Sequence, residues 1–173
     1  MDRNILHRQP PGPPRAVPPN PVEERLNAWA RSRGGHLLVV DDSPTNRLLT
    51  AALMRKAGFD VDTADGGAEA VASIATAEAP YDAVLMDVAM PEVDGIAATL
   101  TIRAMPGPRG KVPIIAVTAH GFAEDRDRCL FAGMNDYVLK PVRRPELLAA
   151  LERWLKPWAP EDGAVVRRTT PAP

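Results

Sequence analysis

Three aspartates stand at the ends of two short apolar runs. His36-Leu37-Leu38-Val39-Val40 leads into Asp41-Asp42, and Tyr81-Asp82-Ala83-Val84-Leu85-Met86 leads into Asp87. Short Val/Leu-rich runs of this kind are expected of strands buried on both faces of a parallel sheet. Carboxylates at the carboxyl ends of two such strands converge on the crevice where open α/β sheets bind ligands. Three of them together would repel one another unless a cation joined them. The residue types and their spacing point to an acidic pocket that holds Mg²⁺, a hard ion served by carboxylate oxygens.

The elements that must position these carboxylates are legible from His36 onward. Strand and helix patterns alternate five times between residues 36 and 155. Strands are expected at 36–40, about 59–64, 81–87, 112–118 and 136–140. The first intervening helix starts at Ser43-Pro44, an N-cap followed by an N1 proline. Leu48, Leu49, Ala52 and Leu53 are expected as its buried stripe, and Gly58 as its stop. Further helices are expected at about 68–77, after Asp94-Gly95, and at about 123–132 with a stop at Gly133. The last starts near Pro145, with Leu147, Leu148, Leu151, Trp154 and Leu155 on one stripe. Such alternation implies right-handed crossovers and a doubly wound parallel sheet with helices on both faces.

Composition sets the boundaries. The chain has 173 residues, 45% apolar and 25% charged, as expected of a globular protein. Of its 19 prolines, seven precede residue 22 and four follow residue 156. Residues 1–35 therefore read as a disordered Pro/Arg-rich arm with a short helix at 22–31, where Val22, Leu26 and Trp29 share a face. Residues 156–173 read as a disordered Pro-rich tail. The segment 36–155 carries 12 basic and 17 acidic side chains, net −5, against −1 for the whole chain. An acidic unit of this kind is a poor match for nucleic acid. The single cysteine, Cys129, excludes a disulfide framework and reads as a small buried apolar side chain. With no h-region and no apolar run of membrane-spanning length, no membrane association and a cytoplasmic location are expected.

The motifs carry a resemblance. Asp41-Asp42, the D-x-x-M-P-x-x-D-G pattern at 87–95, Thr118-Ala119 and Lys140-Pro141 occur in order, each at a strand end. Residues 36–155 resemble the receiver domain of two-component response regulators, especially receivers attached to hybrid sensor histidine kinases. The resemblance implies a flavodoxin-like receiver fold with strand order 2-1-3-4-5. It implies that Asp87 is the phosphoacceptor, taking a phosphoryl group from a phosphohistidine or a small acyl phosphate. Asp42 and Asp87 resemble the direct Mg²⁺ ligands, with Asp41 acting through water and the Ala89 backbone carbonyl supplying another oxygen. Lys140 would pair with Asp87 and then with phosphoryl oxygens, and the family holds the Lys140-Pro141 bond cis. Thr118 would donate its hydroxyl to the phosphoryl group, beside the small Ala119 that leaves access. Tyr137 matches the aromatic switch that turns inward when Thr118 moves.

His120 is expected to line the pocket rim; no kinase-type histidine helix or ATP-binding glycine box accompanies it. Ala89 departs from the longer polar side chain common at this position, which bears on dephosphorylation rate. A haloacid-dehalogenase-type phosphatase needs D-x-D after the first strand, where this chain has Asp41-Asp42-Ser43. An FMN site needs a Ser/Thr/Gly-rich phosphate loop there. The expectation is a signalling module rather than an enzyme, a receiver without an output domain. Its partners would be a sensor histidine kinase or histidine phosphotransfer protein, and a downstream target on the face formed by the fourth helix, fifth strand and fifth helix of segment 36–155, which Tyr137 borders. The alternative is the detached receiver of a hybrid kinase, passing phosphate to a histidine phosphotransfer protein.

Overall fold

The computed structural model of the protein describes residues 20–119 and 121–155. The parts of the two expected tails at 1–19 and 156–173 lie outside them, as does His120. Five strands, β1 (His36–Val40), β2 (Asp60–Ala64), β3 (Ala83–Asp87), β4 (Ile114–Thr118) and β5 (Asp136–Leu139), form one sheet of order β2-β1-β3-β4-β5. Every neighbouring pair is parallel. The order reverses between β1 and β3, so these two strands lie side by side at the switch point where such sheets open a crevice.

Among the described residues six α-helices cover the sheet: α1 (Pro21–Arg33), α2 (Pro44–Ala57), α3 (Gly67–Thr76), α4 (Gly95–Arg103), α5 (Ala123–Phe131) and α6 (Arg144–Trp154). Alternate strand residues point to opposite faces, and two cores result. Leu37, Val39, Leu85, Ile115 and Val117 face Leu26 and Ala30 of α1, Ala51 and Met54 of α2, and Leu147, Leu148 and Leu151 of α6. Leu38, Val40, Val84, Met86, Ile114 and Ala116 face Ala70, Ile74, Ala98, Ile102 and Cys129 from α3, α4 and α5. Cys129 is buried, as expected, and burial raises its thiol pKa.

Three helices depart from the sequence expectation. On α2 the buried residues are Thr50, Ala51, Met54 and Ala57, not the leucine stripe. Leu48 is 68% exposed and Leu49 51% exposed, Ala52 is exposed, and Leu53 is half-buried. Small Ala51 and Ala57 bring the helix close to the sheet, and that approach turns the adjacent leucines outward. On α1, Val22 is exposed, and the buried pair is Leu26 and Ala30, one turn apart. Helix α1 runs two residues further than expected at its end and packs on α6 and α2. The folded body thus begins before residue 36. Trp154, expected on the α6 stripe, is 42% exposed and donates its indole N–H to Asp136 at 3.1 Å. Among the described residues no helix is long and apolar enough to cross a membrane.

Candidate phosphoacceptor site

The carboxyl ends of β1 and β3 bring Asp41, Asp42 and Asp87 together, with one oxygen from each within 4.8 Å of the others. Asp41 and Asp87 are buried, while Asp42 faces solvent and opens the cluster to ions. Helix α2 starts immediately after. Ser43 caps it by accepting from the Asn46 amide at 3.4 Å, while the Ser43 amide donates to Asp41 Oδ1 at 2.9 Å. On the β3 side, Asp94 caps α4 by accepting from the Ala97 amide at 2.7 Å. With the Val88 amide on the Val117 carbonyl at 3.2 Å, the loop from Asp87 to Asp94 is held at both ends. Gly95 lies directly behind it: a Cβ at this position would stand 2.2 Å from the Asp87 carbonyl oxygen.

Lys140 arrives from the end of β5. Its Nζ lies 2.7 Å from Asp87 Oδ2 and 2.9 Å from Asp41 Oδ2. The Lys140-Pro141 peptide bond is cis. One ammonium thus bridges two of the three carboxylates, leaving the site with excess negative charge. Burial pushes the Asp87 carboxyl up from the ordinary range, and the nearby Asp41 charge adds to this. The Lys140 hydrogen bond and charge and the Ala89 amide pull the other way without cancelling it. Burial lowers the Lys140 ammonium, but its hydrogen bonds to Asp41 and Asp87 and their charges outweigh that, so its pKa is raised. A hard divalent cation fits this donor set: three carboxylates, one solvent-facing, held against a single ammonium.

The remaining sequence-selected residues surround this cluster. Thr118 closes β4 and is 5% exposed; it lines a cavity of 390 Å³ with Ala89, Met90, Asp94, Asp125 and Arg128. Ala119 and Pro141 are exposed. The Ala89 amide donates to Asp87 Oδ1 at 3.2 Å, contacting the carboxylate through its nitrogen. Tyr137 is half-buried on β5, packed against the core beneath α5, with the Arg126 guanidinium 4.9 Å above its ring. Sequence reading passed over two contributors. Arg47 Nη1 donates to the Asp41 carbonyl at 2.6 Å, clamping the β1–α2 loop from one turn into the helix. Arg126, which stacks on Tyr137, was the other. Their spacing along α2 and α5 is unremarkable for surface arginines, so no local signal separates them from solvated ones.

The response regulator receiver domain model matches residues 37–152. This chain belongs to that family. Among curated relatives, it is 36% identical over 140 residues to the sensor protein GacS of Pseudomonas syringae pv. syringae, covering 80% of this chain and 15% of that protein. It is 37% identical over 135 residues to the signal transduction histidine-protein kinase BarA of Escherichia coli K12, covering 78% and 14%. The chain therefore spans about a seventh of the length of these relatives. Among solved structures, the receiver domain of sensor histidine kinase PA1611 from Pseudomonas aeruginosa PAO1, crystallised with a magnesium ion coordinated in its active site cleft, superposes with a TM-score of 0.64. The two are 44% identical, over 70% of this chain and 98% of that one. Vibrio cholerae chemotaxis protein CheY4 gives a TM-score of 0.64 at 30% identity, with the same coverage. The receiver is of the kind found in hybrid sensor histidine kinases, a signalling module of two-component phosphorelays.

Proposed function

We propose that the protein is a phosphoacceptor receiver in which Asp87 takes a phosphoryl group from a phosphohistidine. The observation that carries this reading is the single ammonium of Lys140 bridging Asp87 and Asp41 inside the three-carboxylate cluster. A carboxylate is a weak nucleophile, so the site must work by charge neutralisation and alignment rather than by a strong base. Asp42 and Asp87 would hold Mg²⁺ directly, Asp41 through water, and the Ala89 carbonyl would complete the oxygen set. The bound ion supplies charge that offsets repulsion between the carboxylates and an incoming phosphoryl group.

In the transfer, an Asp87 carboxylate oxygen forms the bond to phosphorus as the phosphorus–nitrogen bond breaks. The imidazole nitrogen keeps the electron pair. Lys140 follows the phosphoryl oxygens as negative charge moves onto Asp87. Thr118 donates its hydroxyl to a phosphoryl oxygen, and the small side chains of Ala89 and Ala119 leave the approach open. Tyr137, opposite Ala116 on the neighbouring strand and two residues short of Thr118's own partner Leu139, then turns inward and alters the α5–β5–α6 face. That face holds a 760 Å³ groove lined by Arg126, Tyr137, Leu139, Arg143 and Arg153, on which a downstream partner would dock. The donor, a kinase or histidine phosphotransfer protein, must instead approach the pocket mouth. Leu48 and Leu49, exposed on the helix that starts at that mouth, provide its apolar footing.

A second setting is favoured by the relatives, which are hybrid sensor kinases many times longer than this chain. There Asp87 would pass its phosphoryl group onward to a histidine of a phosphotransfer protein. Intact-mass analysis after incubation with acetyl phosphate and Mg²⁺ tests the chemistry common to both settings. One labile phosphoryl group is expected, lost with chelator and absent from Asp87→Asn. Phosphorylation retained in Asp87→Asn would overturn the proposal.

A further inference from the structure

The family-matched segment begins at residue 37, yet α1 lies before it and is built into the same body. This helix is finished at both ends. Asn20 caps its start by accepting from the Val22 amide at 3.0 Å, and the Gly34 amide closes its end on the Ala30 carbonyl at 2.9 Å. Its inner face buries Leu26 and Ala30 and sets Trp29 against Phe59, with ring centroids 6.2 Å apart. Two ion pairs then tie α1 to opposite ends of α6. Arg25 is bidentate on Glu152, near the end of α6, at 2.5 and 2.9 Å. Glu23 Oε1 accepts from Arg144 Nη2 at 3.1 Å.

The second pair sits at a sensitive place. Arg144 is the first residue of α6 and stands four residues after Lys140. The placement of Lys140 depends on this short connection, because its own four-carbon stem does not hold a fixed position. Upstream, the Lys140 amide is fixed on the Thr118 carbonyl at 2.7 Å. Downstream, no side chain caps the first turn of α6, so that one restraint at the helix start is missing. Besides the first-turn proline and the Leu147 amide bonded to the Arg143 carbonyl at 3.2 Å, the connection is held by Val142, packed on the core that contains Leu26 and Ala30, and by the Arg144 guanidinium on Glu23. Among the described residues the Arg144 Nε is buried with no hydrogen-bond partner, and the hydrogen bond from Nη2 to the Glu23 carboxylate is what holds this guanidinium.

We propose that Glu23 is a positioning residue for phosphoryl transfer. It fixes Arg144, and through Arg144 the Lys140–Arg143 connection, so that Lys140 stays seated on Asp87 and Asp41. The inference rests on Asp87 being the phosphoacceptor and gives the segment before the receiver a part in its chemistry.

The test uses the full chain with Glu23→Gln, Arg144→Gln, both together, and Arg25→Gln as a control on the other ion pair. Phosphorylation rate by acetyl phosphate at saturating Mg²⁺, beryllofluoride affinity, backbone NMR shifts at 140–143 and Tm are measured for each. Glu23→Gln and Arg144→Gln should each slow phosphorylation and weaken beryllofluoride binding by roughly three- to fivefold, the size expected of one partly exposed ion pair. The double variant should be no worse than either single one. Arg25→Gln should lower Tm while leaving the rate and the 140–143 shifts unchanged. Equal rates in all variants, or rates that simply follow Tm through Arg25→Gln, would overturn the positioning role. A wild-type protein that takes no phosphoryl group on Asp87 would overturn the underlying reading, and this one with it.

Discussion

At the scale of single residues, the site is organised around an uneven charge balance. Asp87 is a buried carboxylate whose pKa is raised by burial and by Asp41, despite the ammonium 2.7 Å away. A group with a raised folded-state pKa contributes its stability below its unfolded value and loses it as pH rises through the folded one. Ionised Asp87 therefore works against the metal-free fold at neutral pH. Asp87→Asn should raise the metal-free Tm at pH 7, with the gap closing as acidification protonates the wild type. A Tm unchanged or lowered by the substitution would contradict this. Because ligands must be deprotonated to bind metal, Mg²⁺ affinity should begin to fall at a pH above the ordinary carboxylate range; titration by calorimetry at stepped pH reads this directly. Lys140→Ala should do the reverse of Asp87→Asn. It takes a hydrogen-bond donor from two buried carboxylates and should cost about 1–3 kcal/mol in urea unfolding without metal, with Mg²⁺ restoring part of the loss.

At the scale of elements, the strand ends, the caps and the close approaches decide where those residues stand. The pattern of apolar runs ending in aspartate was readable because a fully buried parallel strand leaves little choice of residue. Ser43, Asp94, Gly58 and Gly133 were readable for a similar reason: cap and stop chemistry is local. The face of α2 was not. Leucines outrank alanines in any periodicity argument, but Ala51 and Ala57 are what allow the helix to lie against the sheet, and Leu48 and Leu49 are left outside. Denaturant unfolding should separate the two faces. Met54→Ala, at a fully buried position, should cost about 2–4 kcal/mol, whereas Leu48→Ala and Leu49→Ala should each cost under about 0.5 kcal/mol. Comparable losses at both faces would refute the observed orientation. Gly95 is a further case of an element setting a residue. Its missing side chain lets α4 start directly behind Asp87, and Gly95→Ala should destabilise the fold by about 2 kcal/mol or more and weaken Mg²⁺ binding. Retention of wild-type Tm and Mg²⁺ affinity would mean that the loop absorbs the clash.

At the scale of the whole molecule, one sheet collects side chains that are far apart in sequence. Asp41 and Asp87 come from adjacent strands at the switch point, Thr118 from the next strand, and Lys140 from the edge. Their convergence was legible in the sequence because four motifs each sit at a strand end in a fixed order. The contribution of α1 was less so. A run with Leu26, Ala30 and Trp29 among charged residues reads equally well as a linker, and only tertiary packing against α6 shows which face it buries. Arg47 and Arg126 were hidden for the same reason, since their partners are a backbone carbonyl and a ring on other elements. On the proposed function, this arrangement serves one chemical event, formation of an acyl phosphate on Asp87. Borohydride reduces an acyl phosphate to an alcohol, so treating the protein after acetyl phosphate and Mg²⁺ and then mapping peptides locates the acceptor. Homoserine at position 87 alone, absent when Mg²⁺ is chelated, is the predicted result; homoserine at Asp41 or Asp42, or none anywhere despite incorporated phosphate, would contradict it.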